Sequence, residues 1–172
     1  VGDSLNQAAP KGAANADALM LLRIDASTSL EVLQIPIELA IQLPGAGEPN
    51  TLASLWRGGG VALVTDAIRE IVGLPLDQPQ RYVVMPRSVL RSLVDDMGEV
   101  EVVLGQSYQR KDKAQNYSVN LQPGRQTLNG AQAEQLVRYL KDPRDDPNRR
   151  LRQQLLIQAV MDQLRTPGGL VR

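Results

Sequence analysis

The stretch "DDPNRRLRQQLLIQAVMDQL", residues 145–164, places three arginines in four positions and then runs into an apolar helical pattern. At about 100° per residue, Arg149, Arg152, Gln153 and Leu156 fall on one helix face, while Arg150 points elsewhere. A helix start already offers free backbone N–H groups and the positive end of the helix dipole. Two guanidinium groups beside it would suit a phosphate or pyrophosphate. Arg138, followed by Lys141 and Arg144, approaches from the preceding helical stretch. The same arginines could instead pair with Asp142, Asp145 and Asp146, surface contacts worth about 0–1 kcal/mol each. Spacing alone leaves both readings open.

Acidic candidates are scattered. Asp17 precedes one strand pattern and Glu38 ends its hairpin partner. Antiparallel pairing would bring the two positions to the same end of the sheet, where two carboxylates could hold a divalent ion beside a pyrophosphate. Solvated strand-end charges are the plainer alternative. "RGGG", residues 57–60, ahead of a helix could cradle phosphate or be only a loop, and it lacks the Gly-Lys-Ser/Thr ending of a P-loop.

Composition narrows the chemistry. Lys+Arg and Asp+Glu both number 19, so bulk attraction to nucleic acid is not expected and an anion site must come from local clustering. The absence of cysteine and histidine excludes thiol catalysis, the usual zinc frameworks and a histidine general base. Aromatics are 3% with no Phe, which argues against a base-stacking platform. The chain of 172 residues is read as one domain, and Val1 and Gly2 as the end of a strand whose start is missing.

These residues need elements to position them. The apolar runs Ala18 to Ile24 and Leu30 to Ile35 flank a polar turn, a hairpin signal. Residues 43–50 read as a loop. Val61, Leu63, Val64, Ile68 and Ile71 predict a helix stopped at Gly73, "RYVVM" a short strand, and Val89, Leu90, Leu93, Val94 and Met97 a helix stopped at Gly98. "EVEVVLG" alternates as a strand does. Residues 106–124 form a polar excursion with a strand at Tyr117 to Leu121. Asn129 is the expected cap of a helix burying Ala133, Leu136, Val137 and Leu140, and Asp146 with Pro147 should open the last helix. Strands and helices interleave, which predicts an α/β layered domain.

The order of segments resembles the LytR-CpsA-Psr family, across nearly the whole chain. "NADALMLLRID" is similar to the family's R-S-D-T-M-M-L-L-R-I-D, "LQIPIEL" to L-S-I-P-R-D and "GLPLD" to G-I-P-I-D. "LVDDMGEVEV" is similar to L-V-D-A-L-G-G-V-E-V. "LQPGRQTLNGAQAEQLVRY" resembles L-x-x-G-x-Q-x-L-N-G-E-Q-A-L-x-Y-V-R-F, and "DPNRRLRQQ" resembles D-x-G-R-x-x-R-Q-Q.

That resemblance implies an α-β-α layered single domain with a central mixed β-sheet and a hydrophobic lipid pocket. It implies transfer of a glycopolymer from a polyprenyl-pyrophosphate carrier to a cell-wall polymer acceptor, a phosphotransferase reaction using Mg2+. The setting would be the extracytoplasmic face of the bacterial membrane, reached through an N-terminal anchor absent from these residues. Asp17, with Glu38, would hold the metal; Arg138, Arg149, Arg152 and Gln153 would line the pyrophosphate site, with the three arginines catalytic. The family's label of transcriptional attenuator carries little, since no helix-turn-helix signal or net positive charge is present.

Departures fall within the expected site. The arginine and aspartate of S-I-P-R-D are Ile37 and Glu38, and the lysine and asparagine of K-I-N-A-A-Y are Asn50 and Leu52. The second arginine of V-R-F-R is Leu140, while Asn15 and Ala18 replace the arginine and threonine of R-S-D-T. Losing one donor that stabilises developing charge costs about 10²–10³ in rate. The alternative is therefore a non-catalytic relative that binds a polyprenyl phosphate or another amphiphile.

Overall fold

The computed structural model describes residues 15–24, 30–45, 47–113 and 117–165. The expectation at Val1 and Gly2 lies outside them. The chain divides into two compact units, Val1–Val83 and Val84–Arg172, each with its own hydrophobic cluster.

In the first unit, β1 (Leu19–Ile24) pairs antiparallel with β2 (Leu30–Ile35), Leu19 opposite Ile35, as the hairpin signal predicts. Two short strands, β3 (Ala40–Ile41) and β4 (Asn50–Thr51), pair across the Pro/Gly-rich loop. Helix α1 then runs from Leu52 to Val72. It begins nine residues before the apolar pattern at Val61 does, because Leu52, Ala53 and Leu55 are buried in the core. "RGGG" is therefore not a loop. Its residues lie within the helix, which is kinked where Gly60 takes φ 62°, a conformation costly for residues with a Cβ. Gly73 ends α1 at φ 73° with its N–H on the Arg69 carbonyl, as expected of a left-handed cap.

In the second unit, α2 (Arg87–Asp96) leads into β5 (Val100–Leu104), whose strict alternation buries Val100, Val102 and Leu104. A hairpin of β6 (Tyr108–Asp112) and β7 (Tyr117–Leu121) follows, then β8 (Gly124–Leu128), which pairs back onto β5. Helix α3 (Gly130–Arg138) is opened by Asn129 and Gln132, which exchange side-chain and backbone hydrogen bonds in a capping box. A 3-10 turn at Pro143–Asp145 leads directly into α4 (Asp146–Arg165), so Asp146 is already helical and Asp142 caps the turn instead. Leu136, Leu156, Leu128, Val94 and Val100 close the core.

The protein is α/β, with helices and antiparallel strand pairs. The sheet expected as one central mixed layer consists, among the described residues, of four antiparallel pairs. Three join strands close in sequence and the fourth, β5 with β8, brackets a hairpin, so none requires a parallel crossover. "RYVVM" forms no strand. Val83 and Val84 are exposed there, and Pro86 follows. Val89, expected in the core stripe of α2, is half exposed.

Candidate anion site around the end of helix α3

A helix leaves its last carbonyls without partners along the backbone. At α3 the last carbonyls, and the two that follow the helix, are met by side chains. The Tyr117 hydroxyl donates to Gln135 O at 2.8 Å, Gln153 Nε2 to Val137 O at 3.4 Å, Arg152 Nη2 to Tyr139 O, and Arg110 Nη1 to Leu140 O. Tyr139 leaves the helix at ψ 129°, so α3 stops at Arg138 and Leu140, predicted in its buried stripe, lies beyond it. Arg152 and Gln153, two of the expected ligand contacts, thus brace the end of α3 and are 3% and 6% exposed.

Tyrosines hold the cations in place. The Arg152 guanidinium carbon lies 5.1 Å from the ring centres of both Tyr108 and Tyr139, and that of Arg138 lies 4.8 Å from the ring of Tyr117. Tyr108 and Tyr139 meet edge to face at 5.1 Å. Such stacks favour a cation by about 0.5–2 kcal/mol each and fix the plane of the guanidinium. Three of the four tyrosines are spent here, so an aromatic-poor chain still builds an arginine cradle. Burial pushes the Tyr117 phenol up to about 12, against the lowering influence of Arg138, Arg110 and Arg152, whose charges all reach it. Arg138 on α3 and Arg152 on α4 thus each rest against tyrosine rings, Arg138 on Tyr117 and Arg152 on Tyr108 and Tyr139.

Each arginine also has a carboxylate. Arg149 and Arg150 both pair with Asp146, Arg152 with Asp145 at 3.2 Å, and Arg138 with Glu134 at 3.0 Å. The pairing anticipated with Asp145 and Asp146 is present, but these groups are largely covered rather than lying on an open surface. Burial raises the Asp145 carboxyl, yet hydrogen bonds from Asn148 and the Lys141 N–H, with the charge of Arg152, outweigh it and hold the group below its ordinary value. Arg138 and Arg149 keep 23% and 18% of their side chains exposed, so they are better placed to meet a ligand than Arg152 at 4%. Lys141 and Arg144 are exposed. A shallow, open depression lies on the β6–β7 hairpin, lined by Arg110, Lys111, Asn120 and other mostly polar residues; its lining is unlike a lipid pocket.

Asp17 and Glu38 lie in the first unit. The Ala53 carbonyl accepts from Ala16 N at 3.1 Å, and the Ala53 N–H donates to Ile37 O at 2.8 Å. Asp17 and Glu38, each the next residue along, thereby flank the first turn of α1, at one end of the β1–β2 ladder. Both are exposed. A helix start favours carboxylates, and magnesium is commonly held by one or two of them while keeping several waters. Two carboxylates are donors of the kind that ion takes. Among the described residues no group of three or more acidic, His or Cys side chains gathers as a metal site. Leu52, at the family's asparagine position, is fully buried in this unit's core.

Several participants escape sequence reading. Tyr108, Tyr117, Tyr139, Arg110 and the pair Arg91–Glu134 carry no spacing signal, since their partners lie far along the chain. The capping-box motif at Asn129 was the one available clue that α3 is fixed firmly at its start.

The LytR_cpsA_psr family model matches residues 2–172. Over 160 residues, 93% of this chain and 37% of the relative, the chain is 28% identical to the "Probable cell wall biosynthesis protein LcpB" of Corynebacterium glutamicum. It is 25% identical over 150 residues, 86% of this chain and 46% of the relative, to the polyisoprenyl-teichoic acid–peptidoglycan teichoic acid transferase TagU of Bacillus licheniformis. The chain thus spans less than half of either relative. The fold matches Bacillus subtilis TagT with bound octaprenyl pyrophosphate lipid at a TM-score of 0.64 and 23% identity, covering 85% of this chain and 58% of that one.

Proposed function

This chain belongs to the LytR-CpsA-Psr family, and on that premise we propose that it moves a glycopolymer from a polyprenyl-pyrophosphate carrier to a bacterial cell-wall acceptor. The observation that carries this is that Arg138 rests on the Tyr117 ring and Arg152 on the rings of Tyr108 and Tyr139, with Arg149 one turn away on α4. Arg138 and Arg149 would bind the pyrophosphate, while Arg152 and Gln153 keep the end of α3 in place beneath them. Asp17 and Glu38, both in the first unit, would hold Mg2+. A hydroxyl of the acceptor attacks the phosphorus that carries the glycopolymer. A new P–O bond forms, the P–O–P bridge breaks, and polyprenyl monophosphate departs while the hydroxyl proton passes to solvent. Fixed guanidinium groups offset the charge that grows in this step.

The relatives support the reading by name: TagU is a teichoic acid transferase, LcpB a cell-wall biosynthesis protein, and TagT holds octaprenyl pyrophosphate. The same reading sets the protein at the extracytoplasmic membrane face, held by a segment N-terminal to these residues. No described helix is long and apolar enough to cross a membrane. Replacing Arg138 and Arg149 together by Gln should abolish binding of octaprenyl pyrophosphate in a titration; unchanged affinity would dispose of the site.

A second reading, a non-catalytic carrier of a prenyl phosphate, is favoured by Ile37, Asn50, Leu52 and Leu140, and by the internal carboxylate on each arginine. Magnesium-dependent release of polyprenyl phosphate separates the two, since robust turnover excludes the carrier.

A further inference from the structure

Gly130 opens α3, and a Cβ there would lie 2.2 Å from the Arg91 carbonyl oxygen on α2. The Gly130 N–H donates to the Asp95 side chain, Oδ1, at 2.7 Å, and the close approach to the Arg91 carbonyl brings the two helix backbones together. One turn further along α3 stands Glu134, 3% exposed, the buried carboxylate among the described residues. Its two oxygens are divided: Oε1 accepts from Arg138 Nη1 at 3.0 Å and Oε2 from Arg91 Nε. One oxyanion bridging two guanidinium groups is the arrangement a phosphoryl group adopts between two arginines. Nothing in the family motifs calls for it, because Glu134 falls where the compared pattern has a leucine.

We propose that Glu134 is a built-in competitor of the phosphate ligand, and that Arg91 is a further cation of the same site. This rests on the pyrophosphate reading given above. Arg138 does not need Glu134 to hold its position, since the ring of Tyr117 supports its face and α3 fixes its stem. What Glu134 adds is negative charge, a few ångströms from where a phosphate must settle. Burial raises its carboxyl, yet the hydrogen bonds and charges of Arg91 and Arg138 outweigh that and keep it ionised. Arg91, with half its side chain exposed, shares the competing charge with Arg138 and so leaves Arg138 more available. The consequence is a site that holds a multiply charged head group less tightly than its arginines would alone, and so releases the monophosphate product readily.

The test is calorimetric titration of the folded chain with inorganic pyrophosphate at low salt. Glu134→Gln keeps the shape and removes the charge, and should bind pyrophosphate roughly tenfold more tightly than the natural sequence. It should also melt at a lower temperature without the ligand. A role in merely orienting Arg138 predicts the opposite sign, so unchanged or weaker binding by Glu134→Gln overturns the proposal. If that variant does not fold, Arg91→Gln carries the test, because Arg91 is half exposed. It should bind pyrophosphate several-fold more weakly, and unchanged affinity there overturns the proposal. If the natural chain binds but Glu134→Gln shows no gain, this inference alone fails. Pyrophosphate binding by none of the three proteins would overturn the parent reading with it.

Discussion

Arg152 is 3% exposed, stacked against two tyrosine rings and bonded to Asp145 and the Tyr139 carbonyl, whereas Asp17 and Glu38 stand exposed at one end of a two-stranded ladder. The cationic region is over-determined: each guanidinium named there has a carboxylate, and Arg138 and Arg152 also have rings. The acidic region is held through the backbone of Ala53, and its carboxylates face solvent. Such a division would suit the two chemistries proposed above. A charge meant to offset a growing phosphate charge acts best when its orientation is fixed beforehand, while a carboxylate meant for magnesium must adapt to an octahedral shell that keeps its waters.

The contrast can be broken by mutation. Arg152→Ala should cost about 3–5 kcal/mol in urea denaturation, because it leaves Asp145 buried without its partner and strips the end of α3 of a donor. A loss under 1 kcal/mol would mean the cradle is not preorganised. Gly130→Ala follows, at about 2–3 kcal/mol, since its Cβ meets backbone rather than a side chain that could swing away. In the first unit, Gly73→Ala should cost about 1–2 kcal/mol through its left-handed φ of 73°. Asp17→Asn and Glu38→Gln should change stability by no more than about 0.5 kcal/mol, while weakening any magnesium-dependent response. A large stability loss there would erase the contrast.

Titration sharpens the same comparison. Glu134 and Asp145 have folded pKa values below their ordinary ones. Their contribution is complete above the unfolded carboxylate values, roughly 4, and is lost as pH falls through the depressed folded values. Thermal melts between neutral and acid pH should show the loss, and Glu134→Gln should flatten it. At the alkaline end, Tyr117 is raised to about 12. Its contribution is complete below roughly pH 10 and fades as pH rises toward the folded value. Ultraviolet titration should show Tyr117 ionising late, a step absent in Tyr117→Phe.

Much of the fold could be read locally. The β1–β2 hairpin, the Gly73 stop, the alternating β5 and the Asn129 cap each depend on residues within a few positions of one another, and each is where the pattern puts it. Strands β6 and β8 gave no signal, because each buries one residue fully, Tyr108 and Leu128, too few to show a period of two. "RYVVM" misled for the opposite reason, as its apolar residues pack into no ladder. The early start of α1 also went unread, because "NTLASLWRGGG" has glycines where a helix former would be expected.

The sequence by itself determined the family, the α/β class and the face of α4 that turns Arg152, Gln153 and Leu156 inward, since periodicity and motif order are properties of neighbours along the chain. Tertiary structure alone decided which partners those charges meet. Arg91 finds Glu134 across 43 residues, and Arg152 finds the Tyr139 carbonyl across 13. Whether an arginine braces a helix end or faces a ligand depends on which groups share its buried space, and the order of residues along the chain does not encode that distance.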